Sequence, residues 1–231
     1  IRRYYAYCSY VDALFGRVVD AVKKKGEWEN TVVFYLTDHG DYMGAHGLWA
    51  KGLPCFKEAY NICAVAGGGY LNFLRAGAGK NDAAEGAAAT EDAFVSLADF
   101  APTILELSGA SAPEPMSGRS LLPLLRGEPV SNWRSTMFSQ TNGNEIYGIQ
   151  RAVWDKRWKY VLNTFDYDEL YDLAEDPHEM KNVAADPRNA AKIREMVKRM
   201  WDFAKKTRDN FTCPYILVAI APYGPGILDS E

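Results

Sequence analysis

The chain has 231 residues, 48% hydrophobic and 24% charged, with a formal net charge of -4. It can therefore bury a core of its own, as one large domain or as a large and a small one. Its lysines and arginines lack the basic stripe that a phosphate backbone demands, and no apolar stretch reaches the length of a membrane span, so neither nucleic acid nor a membrane is expected as a partner.

The first residues, "IRRYYAYCSY", carry no signal-peptide layout and lie within a helical pattern, from which further residues upstream of Ile1 are expected. From Ser9 to Lys24, Val11, Leu14, Phe15, Val18, Val19 and Val22 recur at helical spacing, with lysines in the last turn and Gly26 as the stop. "TVVFYL" follows, an unbroken β-branched and aromatic run, which predicts a strand covered on both faces, as in a parallel sheet. Helix followed by buried strand indicates an α/β fold. Cys8, Cys55, Cys63 and Cys213 form no CxxC pair and are expected to be buried free thiols rather than a disulfide framework or a zinc knuckle.

"LRAGAGKNDAAEGAAATED" lacks apolar period and reads as a surface excursion. "FVSLADFAPTILELSGA" reads as a strand end and a helix, with Asp99 as N-cap, Pro102 in the first turn and Gly109 at the close. "MSGRSLLPLLRGEP" is a loop with one short apolar turn. From about Ser131, "TMFSQT", "YGIQRAVWD" and "RWKYVLNT" alternate with turn residues, the pattern of an antiparallel meander. Ile193, Met196, Val197, Met200, Trp201 and Ala204 then mark a helix between Pro187 and Lys206. A small α+β subdomain over 131–231 is expected after an α/β portion over 1–130. The tail, "CPYILVAIAPYGPGILDSE", is too rich in proline and glycine to assign.

The stretch with the densest chemistry is "TDHGDYMGAHGLWAKG", residues 37–52, at the carboxyl end of the buried run, where open α/β sheets place their ligand sites. Asp38 and His39 supply a hard oxygen and an imidazole nitrogen, and Gly40 permits a sharp turn. The pair suits a divalent ion, although an Asx turn explains Asp38 almost as well. A calcium or magnesium shell takes about six or more ligands, so these two form one wall of a site at most. Lys51 lies thirteen residues after Asp38, with Gly44, Gly47 and Gly52 between or beside them. It is either a point charge for an anion held at the metal or a solvated lysine.

"LTDHGDYMGAHGLWAKGLPCFKEAYNI" resembles the second signature block of the sulfatase family, in the alkaline-phosphatase-like superfamily, where an Asp-His pair precedes a Gly-x-His-Gly-x-Trp-x-Lys segment. "SLADFAPTILELSG" resembles the family's next helix, and "KYVLNTFDYDELYDLAEDPHEMKNVAADP" its C-terminal subdomain. The resemblance implies the C-terminal part of an alkaline-phosphatase-like sandwich. It makes Asp38 and His39 ligands of a divalent metal, calcium in most sulfatases with magnesium or manganese as alternatives. Lys51 would touch the sulfate. His46 would either contact substrate or hold the loop together by bonding backbone carbonyls, the second being preferred. Trp49 would pack beneath the loop or meet substrate, the first being preferred. Tyr42, Lys57 and Glu58 would border the mouth of the site or lie on a solvated surface. Tyr171 and Asp172 match an architectural motif, and His178 is an exposed turn residue. The tip of "QTNGNEIYGIQR", Asn142, Asn144 and Glu145, is a hairpin turn or a reach over the site.

One departure is decisive. The family's formylglycine nucleophile arises from the first residue of a Cys/Ser-x-Pro-x-Arg sequence, and no cysteine or serine here opens one. "NICAVAGGGY" also departs, since the family has a proline and a more β-branched strand there. The chain is therefore expected to be part of a larger sulfate-ester hydrolase, carrying some of the site and acting on a small sulfate ester or a sulfated carbohydrate. The alternatives are a phosphonate- or phosphate-ester hydrolase, or a non-catalytic piece that binds its missing N-terminal segment or a second copy of itself.

Overall fold

The computed structural model describes residues 1–78, 91–143, 148–209 and 224. Most of the glycine- and alanine-rich excursion, the hairpin residues Asn144 and Glu145, and nearly all of the tail with Cys213 lie outside them. The chain divides into two compact units, Ile1–Asp38 with Ile62–Trp133, and His39–Asn61 with Arg134–Glu231.

In the first unit, helix α1 runs from Arg2 to Lys24, starting earlier than the periodicity of its apolar residues. Gly26 follows it at φ 74°. Strand β1 (Val33–Leu36) pairs antiparallel with β2 (Ala64–Gly67), matching Val33 to Gly67 and Leu36 to Ala64. The parallel pairing expected for β1 is thus corrected among the described residues, because its ladder partner is the short "AVAG" strand that follows the site loop. Its two faces nonetheless meet aromatic neighbours: Tyr35 packs edge-on to Phe15 of α1, with ring centroids 4.8 Å apart, and Phe34 packs edge-on to Phe100 at 5.4 Å. Alternation along the strand sends these two side chains to opposite sides. Helices α2 (Lys57–Tyr60, in the second unit) and α3 (Gly69–Gly77) flank β2 in the chain.

Helix α4 spans Phe100–Leu107. Among the described residues no strand leads directly into it, and Asp99 does not cap it in the expected way. A 3-10 turn over Leu97–Asp99 leads in, and the buried Asp99 carboxylate turns back to accept from the Ser96 backbone N–H at 2.7 Å while Ser96 Oγ accepts from Ala98, a capping box one turn earlier. Its other oxygen accepts from Arg119 N–H at 2.8 Å, tying the loop before α5 (Leu122–Arg126) to the start of the α4 helix. Of the cysteines, only Cys55 is buried among the described residues; Cys8 and Cys63 are exposed, contrary to expectation, since α1 and the start of β2 lie largely open there.

The second unit is built on the expected meander. Strands β3 (Met137–Thr141), β4 (Gln150–Trp154), β5 (Trp158–Asn163) and β6 (Glu169–Asp172) form an antiparallel sheet in that order. Helix α6 (Ala190–Thr207) packs on one face, where Val153, Tyr160, Leu162 and Leu170 meet Ile193, Met196, Val197, Met200, Trp201 and Ala204. These are the six helix positions read from the sequence. Full burial of side chains of this size is worth about 1.5–3 kcal/mol each, which makes this layer the main source of the unit's stability. Arg151 on β4 grips Asp209 just past α6 through two nitrogens, at 2.6 and 3.0 Å.

The opposite face was not foreseen. Val161 and Ala152 point away from α6, as their one-residue offset from Tyr160 and Val153 requires, and pack with Cys55, Tyr60 and Trp154. The residues after the Asp-His pair therefore sit on the second unit's sheet.

Candidate active-site loop

β1 and β2 continue their pairing one step beyond the strands: Thr37 N–H donates to the Cys63 carbonyl at 3.1 Å and Cys63 N–H to Thr37 Oγ1 at 2.9 Å. Asp38 follows, exposed, as the last residue of the first unit, and His39 opens the second.

Gly40 serves close approach rather than a sharp turn. Its N–H donates to the Ala59 carbonyl at 3.0 Å, and a Cβ there would fall 1.8 Å from the Glu58 carbonyl oxygen. Beyond it the chain folds back on itself. Tyr42 N–H donates to Ala50 at 2.9 Å and Gly44 N–H to Leu48 at 2.8 Å. Gly44, Gly47 and Gly52 all have positive φ, as do Met43, His46 and Ala50, so nearly every bend in the loop uses the left-handed region. Asp41 Oδ1 accepts from Met43 N–H at 2.8 Å, an Asx turn. Tyr42 is buried beneath the loop rather than at its mouth; burial pushes its phenol above the ordinary value, and the hydroxyl donates to the Gly52 carbonyl at 2.8 Å.

The fold-back brings Lys51 to His39. Lys51 Nζ lies 3.0 Å from His39 Nε2, and His39 Nδ1 lies 2.8 Å from the Gly40 carbonyl. A carbonyl only accepts, so Nδ1 carries the proton and Nε2 presents its lone pair toward the lysine. That tautomer is the metal-ligating form of imidazole. Lys51 itself is exposed.

His46 holds the loop by other means than backbone carbonyls. Its side chain is 10% exposed, its ring stacks on Phe56 with centroids 3.7 Å apart and planes 5° from parallel, and Nε2 is 3.5 Å from Glu58 Oε2. Trp49 does not pack beneath the loop: it is 62% exposed, its ring lying over Gly44, which has no side chain to cover it. Lys57 turns away toward the 177–179 turn, where its N–H donates to Glu179 Oε2 at 3.2 Å. His178 is exposed as expected, with Nδ1 3.2 Å from Lys57 Nζ. Tyr171 meets the edge of Phe56 at 6.2 Å, and Asp172 takes Arg157 at 2.9 Å. Glu179 and Lys159 carry partnerships that sequence spacing does not reveal; the only hint was the Asp-Pro-x-Glu element. Burial pushes the Cys55 thiol up to about 11, so at neutral pH it is a protonated apolar filler and not a nucleophile.

As metal donors, the residues fit in kind but not in number. Asp38 offers a hard oxygen and His39 a correctly tautomerised nitrogen, yet among the described residues no group of three or more His, Cys, Asp or Glu is placed to hold an ion.

Two family descriptions match this chain: sulfatase over residues 1–110, and the C-terminal region of N-sulphoglucosamine sulphohydrolase over residues 83–206. The chain is 28% identical to an N-acetylglucosamine-6-O-sulfatase of Bacteroides thetaiotaomicron, covering 91% of this chain and 36% of that protein. It is 33% identical to the uncharacterized sulfatase YidJ of Escherichia coli, covering 90% and 39%. The crystal structure of the phosphonate monoester hydrolase of Agrobacterium radiobacter superposes with a TM-score of 0.74 at 26% identity, over 86% of this chain and 40% of that one. The chain thus spans well under half the length of the relatives it matches. With both family descriptions covering the site loop or the sheet beneath it, the chain belongs to the sulfatase family of the alkaline-phosphatase-like superfamily.

Proposed function

We propose that this chain contributes the anion-binding wall of a sulfate-ester hydrolase. The observation that carries the reading is the 3.0 Å approach of Lys51 Nζ to His39 Nε2, which puts a positive charge beside an imidazole lone pair. An ammonium held there stabilises charge building on the nonbridging oxygens of a sulfate ester. The Gly40 carbonyl fixes the His39 tautomer. The stacked His46 keeps the fold-back closed.

Asp38 and His39 are the residues that would hold a divalent ion, calcium by family resemblance, with magnesium or manganese as alternatives. Such an ion, when bound, supplies Lewis-acid polarisation of the ester oxygens. Lys51 has an exposed side chain of four carbons with which to move aside for it. On this reading the nucleophile lies outside this sequence, and what supports it is that no cysteine or serine here opens a Cys/Ser-x-Pro-x-Arg motif. For the substrate, the relative named as an N-acetylglucosamine-6-O-sulfatase favours a sulfated carbohydrate. The likeness to a phosphonate monoester hydrolase keeps a second reading, hydrolysis of phosphonate or phosphate esters.

The test compares turnover of an aryl sulfate, a glucosamine 6-sulfate and a phosphonate monoester by the complete protein and by its Lys51→Ala variant. Sulfate turnover is expected to dominate and to fall on the order of 10²–10³-fold in the variant, with the far-ultraviolet spectrum unchanged. A preference for the phosphonate selects the second reading, and wild-type turnover in Lys51→Ala removes the role of the lysine.

A further inference from the structure

Lys159 on β5 and Glu179 in the turn after β6 are nearly sealed from solvent, at 4% and 3% exposed, with Nζ 2.7 Å from Oε2. Burying such a pair costs desolvation that the mutual attraction alone often fails to offset, so its other hydrogen bonds matter. Both go to the site loop's return path. Lys159 Nζ donates to the Cys55 carbonyl, across 104 residues of sequence. Glu179 Oε2 accepts the Lys57 backbone N–H at 3.2 Å, across 122. Lys57 adds its own side chain, donating to the Pro177 carbonyl. Glu179 holds a φ of 55°, a left-handed conformation that a glutamate keeps only where its surroundings impose it.

The residues gripped on either side, Cys55 and Lys57, bracket Phe56, the ring on which His46 stacks. Glu58, whose carboxylate faces His46, is the next residue, and its carbonyl is the one that Gly40 approaches. The buried pair is thus two contacts from His46 and from the Gly40 backbone that orients His39.

We propose that Lys159 and Glu179 are positioning residues: a buried ion pair on the sheet sets the backbone at 55–57, and through Phe56 and Glu58 it fixes the geometry of the loop that presents His39 and Lys51. The catalytic part of this proposal rests on the reading of that loop given above. A cavity of about 130 Å³ adjoins the pair, lined also by Tyr60, Asn61, Trp154 and Leu173, with room for water beside the Glu179 carboxylate once the lysine is removed.

The experiment uses the complete protein with Lys159→Met, Lys159→Arg and Glu179→Gln. Two readouts need no substrate: amide hydrogen exchange over residues 55–61, and the upfield ring-current shift of the His46 ring protons over Phe56. In Lys159→Met, exchange at these amides is expected to accelerate at least about tenfold. The His46 shift should collapse, and kcat should fall on the order of 10²-fold with KM changed much less. Lys159→Arg, which keeps the charge and its donors, restores most of all three. Should Lys159→Met fail to fold, Glu179→Gln, with the same shape and one acceptor left, is expected to loosen the Lys57 amide selectively. Native protection and an unchanged His46 shift in Lys159→Met, or in Glu179→Gln if the former does not fold, overturn the proposal. A wild-type protein without turnover of any of the three esters overturns the functional reading instead, while the exchange and ring-shift results still decide the clamp.

Discussion

Gly40 shows how little slack the site loop has. A methyl group at this position would overlap the Glu58 carbonyl oxygen, which is backbone and has no rotamer to yield. Gly40→Ala is therefore expected to push the 39–41 segment off the 58–59 segment. The loss of stability should be about 1–3 kcal/mol, the range typical of overpacking, readable as a fall in Tm of about 2–10 °C. Turnover should drop further than Lys51→Ala alone explains, because His39 moves as well. A variant with native Tm and turnover would show that the approach seen here is not maintained in solution. Sequence alone assigned this glycine to turning, since its φ is invisible in the primary structure and so is the carbonyl it faces. A fold-back that carries Lys51 toward His39 was legible from the glycines between them, whereas the direct contact of Nζ with Nε2 was not. His46 was legible as a loop-holding residue, but its partners Phe56 and Glu58 lie ten and twelve positions on, beyond any local periodicity. Trp49 was misplaced because a large aromatic side chain is assumed to bury itself, whereas here its neighbour is the bare Gly44 backbone.

At the scale of elements, α6 and the β3–β6 meander were readable because each obeys one period: 3.6 for the helix, two for the strands, with turn residues between. β1 shows the limit. "TVVFYL" declares a strand with two covered faces, and Phe15 and Phe100 do flank it, but nothing in an apolar run specifies the direction of its hydrogen-bonded neighbour. The start of β6 carries a pH-dependent weakness. Asp168 and Glu169 are held above the ordinary carboxylate range, by burial first and foremost, against the opposing hydrogen bonds from Tyr160 and Asn163 to Asp168 and from Tyr171 and Asn163 to Glu169. The folded state then binds these two protons more tightly than the unfolded chain. Their contribution is complete below the unfolded carboxylate value of about 4 and is lost as pH rises through the raised folded values. Melting temperature measured from pH 4 upward should decline less steeply in Glu169→Gln than in the wild type; equal slopes would show that Glu169 ionises in the fold as freely as in water.

At the scale of the whole molecule, the proposed metal site is a partial one, since Asp38 and His39 supply only two donors. For the complete protein, removal of divalent ions by a chelator is expected to abolish sulfate turnover, and calcium to restore it; full turnover in metal-free buffer would remove Asp38 and His39 from the metal role. Apolar and aromatic side chains also stand open on α1, among them Tyr4, Tyr5, Tyr7, Tyr10, Val11, Leu14 and Val18. Mass and metal content of the purified chain therefore discriminate between an enzyme portion and a partner-binding piece: an associating chain that takes up no metal favours the latter.

The residues after the Asp-His pair leave one unit's strand, cross into the other unit, lie on its sheet against Ala152 and Val161, and return at Ile62. Recombination between homologous enzymes inherits a rule from that path. A graft that exchanges only the segment from Arg134 onward gives the donor's floor to the recipient's loop, so Cys55, Phe56 and Lys57 meet foreign side chains even though every catalytic candidate is native. Chimeras that carry 39–61 together with 134–209 keep floor and loop as one inherited block, and those are the hybrids to build when substrate preference is to be moved between relatives.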